Sequence, residues 1–101
     1  MNLNENLDGN LKQEIDETIK LYEKCIPTSA TATRNMIARK GYIAALSDLM
    51  KSSEIQKGFK TLVKANQKEK TFEAIITRNK EYFSKDVVEA AEFRLAHCSD
   101  L

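Results

Sequence analysis

The chain of 101 residues predicts an all-α domain, on three observations. It holds one proline and three glycines, far fewer turn formers than a sandwich or barrel needs at its corners. Apolar side chains recur three and four positions apart through most of its length, the period of a helix with one buried face. Apolar residues make up 42% and charged residues 31%, enough to bury one core and too apolar for a disordered chain. The architecture that follows is a compact single domain of five or six short helices. Helices this short cross steeply in an orthogonal cluster and do not line up as a long up-down bundle.

Each element has its own signal. Residues 1–9 contain Asn2, Asn4, Asn6 and Gly9 with little periodicity, and read as a flexible tail ahead of a helical domain over 10–101. Asn10 and Gln13 stand at capping-box spacing, and Leu11, Ile15, Ile19 and Tyr22 then fall on one face of a first helix. Pro27 restricts Ile26 and cannot continue the ladder, so that helix ends near Cys25. The small polar segment TSATAT, residues 28–33, reads as a connector.

The stretch RNMIARKGYIAALSDLM, residues 34–50, is the ambiguous one. As one straight helix it places Met36, Tyr42, Ile43, Leu46, Leu49 and Met50 on a broad face. Arg39 then falls in the middle of that face and Ile37 points away from it. A break at Gly41 removes the conflict. Arg39-Lys40-Gly41 is an ordinary helix stop, with cations at the negative end of the dipole and a glycine to leave the helical conformation. Two helices follow, over about 31–40 and 42–51.

Ser53 and Gln56 repeat the capping-box spacing, and the next helix carries Ile55, Phe59, Leu62 and Val63 opposite Lys57, Lys60 and Lys64. NQKEK, residues 66–70, is a break. Phe72, Ile75, Ile76 and Phe83 form another stripe. Ser84 caps a last helix with Asp86 in its first turn, whose inward face is Val87, Val88, Ala91, Leu95 and Cys98.

Net charge is +1, but the charges are segregated. Residues 1–25 hold three Lys/Arg against six Asp/Glu, residues 26–80 eleven against four, and residues 81–101 two against five. Such a pattern either attracts an acidic partner to the basic middle or is consumed internally, with acidic terminal helices packed on basic neighbours. The internal reading is the simpler.

Catalysis finds little support. His97 is the one histidine, the glycines are isolated, and neither a nucleophile elbow nor a phosphate loop occurs. The chain is expected not to be an enzyme, and no cofactor or small-molecule substrate is expected. Cys25, His97 and Cys98 lack metal-ligand spacing and read better as two at least half-buried thiols and an end-of-helix imidazole. The longest apolar run is Ile43 to Leu46, too short to span a membrane, and the N-terminal residues lack the basic and apolar segments of a secretory signal. A soluble, cytoplasmic protein is the expectation.

Two binding readings remain. Nucleic-acid contact would use Lys57, Lys60 and Lys64 with Arg34, Arg39 and Lys40, giving salt-sensitive affinity without strong sequence specificity. The small residue that a helix-turn-helix places four positions before its glycine is absent, since Ile37 precedes Gly41 and Glu54 precedes Gly58. Contact with a protein partner, or self-association, would use Phe93 and His97. These fall with Ala90 on a second stripe of the last helix, away from its inward face. The favoured expectation is a small interaction or regulatory module working through protein–protein contact.

Overall fold

The computed structural model describes residues 9–51 and 54–97, with the side chains of 27–29 and 54–57 outside the description. Six α-helices occur among these residues: α1 (Gly9–Cys25), α2 (Pro27–Lys40), α3 (Tyr42–Leu49), α4 (Glu54–Lys64), α5 (Phe72–Arg78) and α6 (Lys85–Ala96). Two single 3₁₀ turns, Lys68–Lys70 and Lys80–Tyr82, flank α5. No strand occurs among the described residues. The radius of gyration is 12.5 Å, close to the roughly 13 Å of a compact chain of this length. The molecule is thus the all-α compact domain that periodicity and composition predict.

α1 buries Leu11, Ile15, Ile19 and Tyr22 as its spacing requires, and Thr18 with them. The Thr18 hydroxyl is satisfied inside by the carbonyls of Glu14 and Lys70. Helix already runs at Gly9, so Asn10 lies within α1 and is not its cap. The residues before Gly9, where the tail is expected, lie outside the described part.

The connector expected at 28–33 is helix. Ile26 is the only non-helical residue between α1 and α2, and Pro27 occupies the first helical turn. There its fixed φ suits the helix and its missing N–H costs nothing. Proline ends α1 and starts α2 in one step. Ala30, Thr33 and Ile37, spaced three and four apart, are the buried face of α2. Ile37 therefore points inward and Arg39 outward, the reverse of the straight-helix projection.

Gly41 makes that possible. It sits at φ 89°, ψ 167°, a region essentially closed to side chains, and is buried. Its N–H closes α2 on the Ile37 carbonyl at 2.8 Å, and its carbonyl opens α3 to the Ala45 N–H at 3.1 Å. α3 can then bury Ala45, Leu46 and Leu49 on a direction of its own.

α4 buries Phe59 and Leu62 and leaves Lys60 and Lys64 exposed. The capping box expected at Ser53–Gln56 lies outside the described residues and side chains. The helix ends in a Schellman turn. The Asn66 N–H bonds the Val63 carbonyl at 3.0 Å, the Gln67 N–H bonds the Leu62 carbonyl at 2.7 Å, and Asn66 takes φ 63°.

α5 is the central element. The Thr71 hydroxyl caps it by accepting the Ala74 N–H at 3.1 Å, and Phe72 through Ile76 are all buried. It packs against α1 on one side and α6 on the other. A helix surrounded in this way has no polar face to offer, which decides the fate of its one early charge, Glu73. The Ser84 hydroxyl starts α6 by accepting the Val87 N–H at 3.4 Å, and Val87, Val88 and Ala91 form its buried side.

Candidate functional site

The outer face of α6 carries the large apolar side chain that the described fold leaves in solvent. Phe93 is 65% exposed, the one large hydrophobic so placed among the described residues. Its ring lies against His97 one turn later, with centroids 4.3 Å apart and planes tilted by 35°. The His97 N–H also closes the helix on the Phe93 carbonyl at 3.1 Å. The two rings thus form a small apolar and polar step at the end of α6. Ala90, expected on the same stripe, is half-buried against the core, so the outer patch is narrower than the projection suggests. Leu95 is half-buried on the inward side, and Cys98 lies outside the described residues.

The basic residues fall into two groups. Arg34 pairs with Glu23 of α1, its Nε 2.7 Å from a carboxylate oxygen, and Lys40 pairs with Asp48 of α3. The hydrogen bond from Lys40 holds the Asp48 carboxyl below its usual range. Arg39, Lys60 and Lys64 are exposed, and no ion pair holds them among the described residues; the Lys57 side chain lies outside the description. Lys60 and Lys64, one turn apart, share the solvent face of α4.

Much of the charge segregation is consumed internally. Each carboxylate of α1 has a partner on a later element: Glu14 with Arg78 at 3.6 Å, Glu17 with Lys70 at 3.5 Å, Glu23 with Arg34, and Asp16 accepting from the Tyr42 hydroxyl at 3.1 Å. In α6, Glu92 meets Lys80 at 3.1 Å. A cleft of about 400 Å³ between α1 and α5 is lined by Glu14, Glu17, Glu69, Lys70 and Arg78 among others. Its cations are held by its own carboxylates and by the Glu69 carbonyl, so it is a seam of pairs.

Cys25, expected to be at least half-buried, is exposed at the last position of α1. No group of three His, Cys, Asp or Glu side chains that could hold a metal occurs among the described residues.

A different constellation lies inside. Glu73 is fully buried, and one of its oxygens meets Arg94 Nη1 at 3.1 Å. Arg94, only 12% exposed, also donates from Nη2 to the Met50 carbonyl at 2.7 Å. One guanidinium therefore joins α5, α6 and the end of α3. Among the described residues, the second carboxylate oxygen, Oε1, has no hydrogen-bond partner, and neither has the buried Tyr22 hydroxyl. Burial raises the Glu73 carboxyl to about 7, against the downward pull of its own backbone N–H and of Arg94. Burial first, and then the negative Glu73, pushes the Tyr22 phenol up as well. The Tyr22 ring stands edge-on to Phe72, with centroids 5.2 Å apart, and its far side lies against Gly58. A Cβ at Gly58 would come within 2.8 Å of the ring.

Sequence reasoning passed over Glu73. The available signal was its setting in FEAII, a lone charge inside an apolar run too short to present a polar face. Comparison of the chain with protein-family models, with curated proteins and with solved structures returns no match.

Proposed function

We propose that this chain is a small helical interaction module that takes a protein partner on the outer face of α6, with Phe93 and His97 at the contact. The exposure of Phe93 carries this reading. Fully burying such a side chain is worth about 1.5–3 kcal/mol, which the folded chain leaves unused. An aromatic anchor that keeps its orientation by stacking on a neighbour loses little freedom when it docks. The pairing of Arg34 with Glu23 and of Lys40 with Asp48 supports the same reading, because it offsets the charge of two of the six basic residues, which stay on the surface.

The test is a pair of variants compared with the wild-type chain in sedimentation velocity and in affinity capture followed by titration of the captured partner. Phe93→Ala is expected to weaken the contact at least tenfold, about 1.4 kcal/mol. Charge reversal of Lys57, Lys60 and Lys64 is expected to leave it intact. Binding that survives Phe93→Ala overturns the proposal.

One observation favours a second reading: Lys60 and Lys64 are exposed and outside the ion pairs described. They support non-specific contact with nucleic acid, which fluorescence anisotropy at about 50 and 200 mM salt would reveal as strongly salt-dependent binding.

A further inference from the structure

The apolar residues of α6 do not by themselves fix how it is seated. Its inward side is Val87, Val88 and Ala91, with Leu95 half-buried. Ala90 and Phe93 form a second stripe, and Phe93 is larger than any residue of the first. A turn of the helix by roughly 100°, one residue's step, would carry Ala90 and Phe93 toward the core, with Asp86 and His97 beside them. Burial is non-directional and would reward the ring, which is 65% exposed where it stands. What resists the turn is Arg94. Its Nη1 reaches a Glu73 oxygen of α5 at 3.1 Å, and its Nη2 reaches the Met50 carbonyl just past α3 at 2.7 Å. A flexible side chain could follow one acceptor as the helix turned. It could not follow two acceptors on separate elements, gripped by the planar fork of one guanidinium.

We propose that the Glu73–Arg94–Met50 junction is a positioning pin, which selects the seating of α6 that leaves Phe93 outside against a turned seating that buries it. Glu73 is fully buried and Arg94 only 12% exposed, so a hydrogen bond lost here is not replaced by bulk water. Breaking a buried pair costs more than burying one aromatic ring returns. Buried polar groups set register where apolar packing is indifferent to it. The pin holds in either protonation state of Glu73, because a carboxyl oxygen accepts from a guanidinium in both. Glu73 and Arg94 are thus positioning residues for the outer face. That they ready this face for a partner rests on the reading above; the pin itself rests on the geometry of the junction.

The chain has no tryptophan, so Phe93→Trp supplies a single fluorescent reporter for the test. It is placed in the otherwise wild-type chain, in Glu73→Gln, and in the apolar pair Glu73→Leu with Arg94→Met. In the apolar pair, quenching by acrylamide is expected to fall about threefold and the emission to move to the blue, as the exposed seating becomes the minor one. Glu73→Gln is expected to match the wild-type background, because its amide oxygen still accepts from Arg94. A merely structural role would lower the urea midpoint of the apolar pair without shielding the reporter. Unchanged quenching in the folded apolar pair therefore overturns the pin, leaving the apolar face and the charge of Asp86 sufficient to seat α6. Quenching that falls equally in Glu73→Gln overturns it too. Should the apolar pair not fold, nitrogen NMR of the wild-type guanidinium decides: separate, slowly exchanging Nη signals for Arg94 sustain the pin, and one averaged signal overturns it. None of these readouts involves a partner, so failure of the Phe93 reading and failure of the pin are distinct results.

Discussion

The Tyr22 hydroxyl is buried without a hydrogen-bond partner among the described residues, while the ring that carries it packs edge-on to Phe72 and close to Gly58. A buried, unpaired polar group costs about 1–3 kcal/mol. Tyr22→Phe keeps the ring and removes the cost, so it is expected to raise stability by about 1 kcal/mol, read as a higher midpoint in urea with an unchanged slope. Glu73, Arg94 and Phe93 illustrate how unevenly single residues could be read from the chain. Phe93 stands away from the inward side of its helix at a fixed angle, so its separate stripe was legible, but a helix buried on two sides has the same pattern and only the structure shows the ring exposed. Glu73 occupies a place where all faces of a short helix are covered. Which neighbours cover them is a property of α1 and α6, far away in the sequence.

At the scale of the element, ends decide more than interiors. α4 stops because Asn66 adopts φ 63° and lets two N–H groups bond back to Leu62 and Val63. Asparagine tolerates that conformation and alanine does not, so Asn66→Ala is expected to cost about 1 kcal/mol in thermal unfolding. The stop at Gly41 was readable because two lines of reasoning converged on it: the misplaced Arg39 of a straight helix, and the cation-then-glycine ending. TSATAT was misread for a physical reason. Threonine and serine are weak helix formers in isolation, but packing overrides that preference when Ala30 and Thr33 have a buried face to fill. Pro27 was read only as the end of one helix, although its geometry equally begins another.

For the whole molecule, the buried carboxyl couples folding to pH. The Glu73 carboxyl lies near 4.5 when exposed in the unfolded chain and rises to about 7 in the folded one. The folded state therefore binds more protons between these values. Its stability is full below the lower value and is lost as pH rises through the upper one. The difference is roughly 3 kcal/mol, at 1.36 kcal/mol per unit. Chemical unfolding at pH 5 and pH 8 is expected to show the chain more stable at pH 5, and Glu73→Gln to flatten the difference. The surface pairs that join α1 to later helices are worth at most about 1 kcal/mol each and are screened by salt, so raising salt is expected to leave this pH dependence in place. The sequence by itself determined the helical class, most of the buried faces, the break at Gly41 and the stripe of α6 on which Phe93 lies. These follow from periodicity and backbone chemistry acting within a few residues. Only the tertiary structure decided that α2 begins at Pro27, that the acidic first helix pairs its charge with its own neighbours, and that Glu73 meets Arg94 in the interior. Each depends on which helices lie side by side, and that is settled by packing between residues distant along the chain.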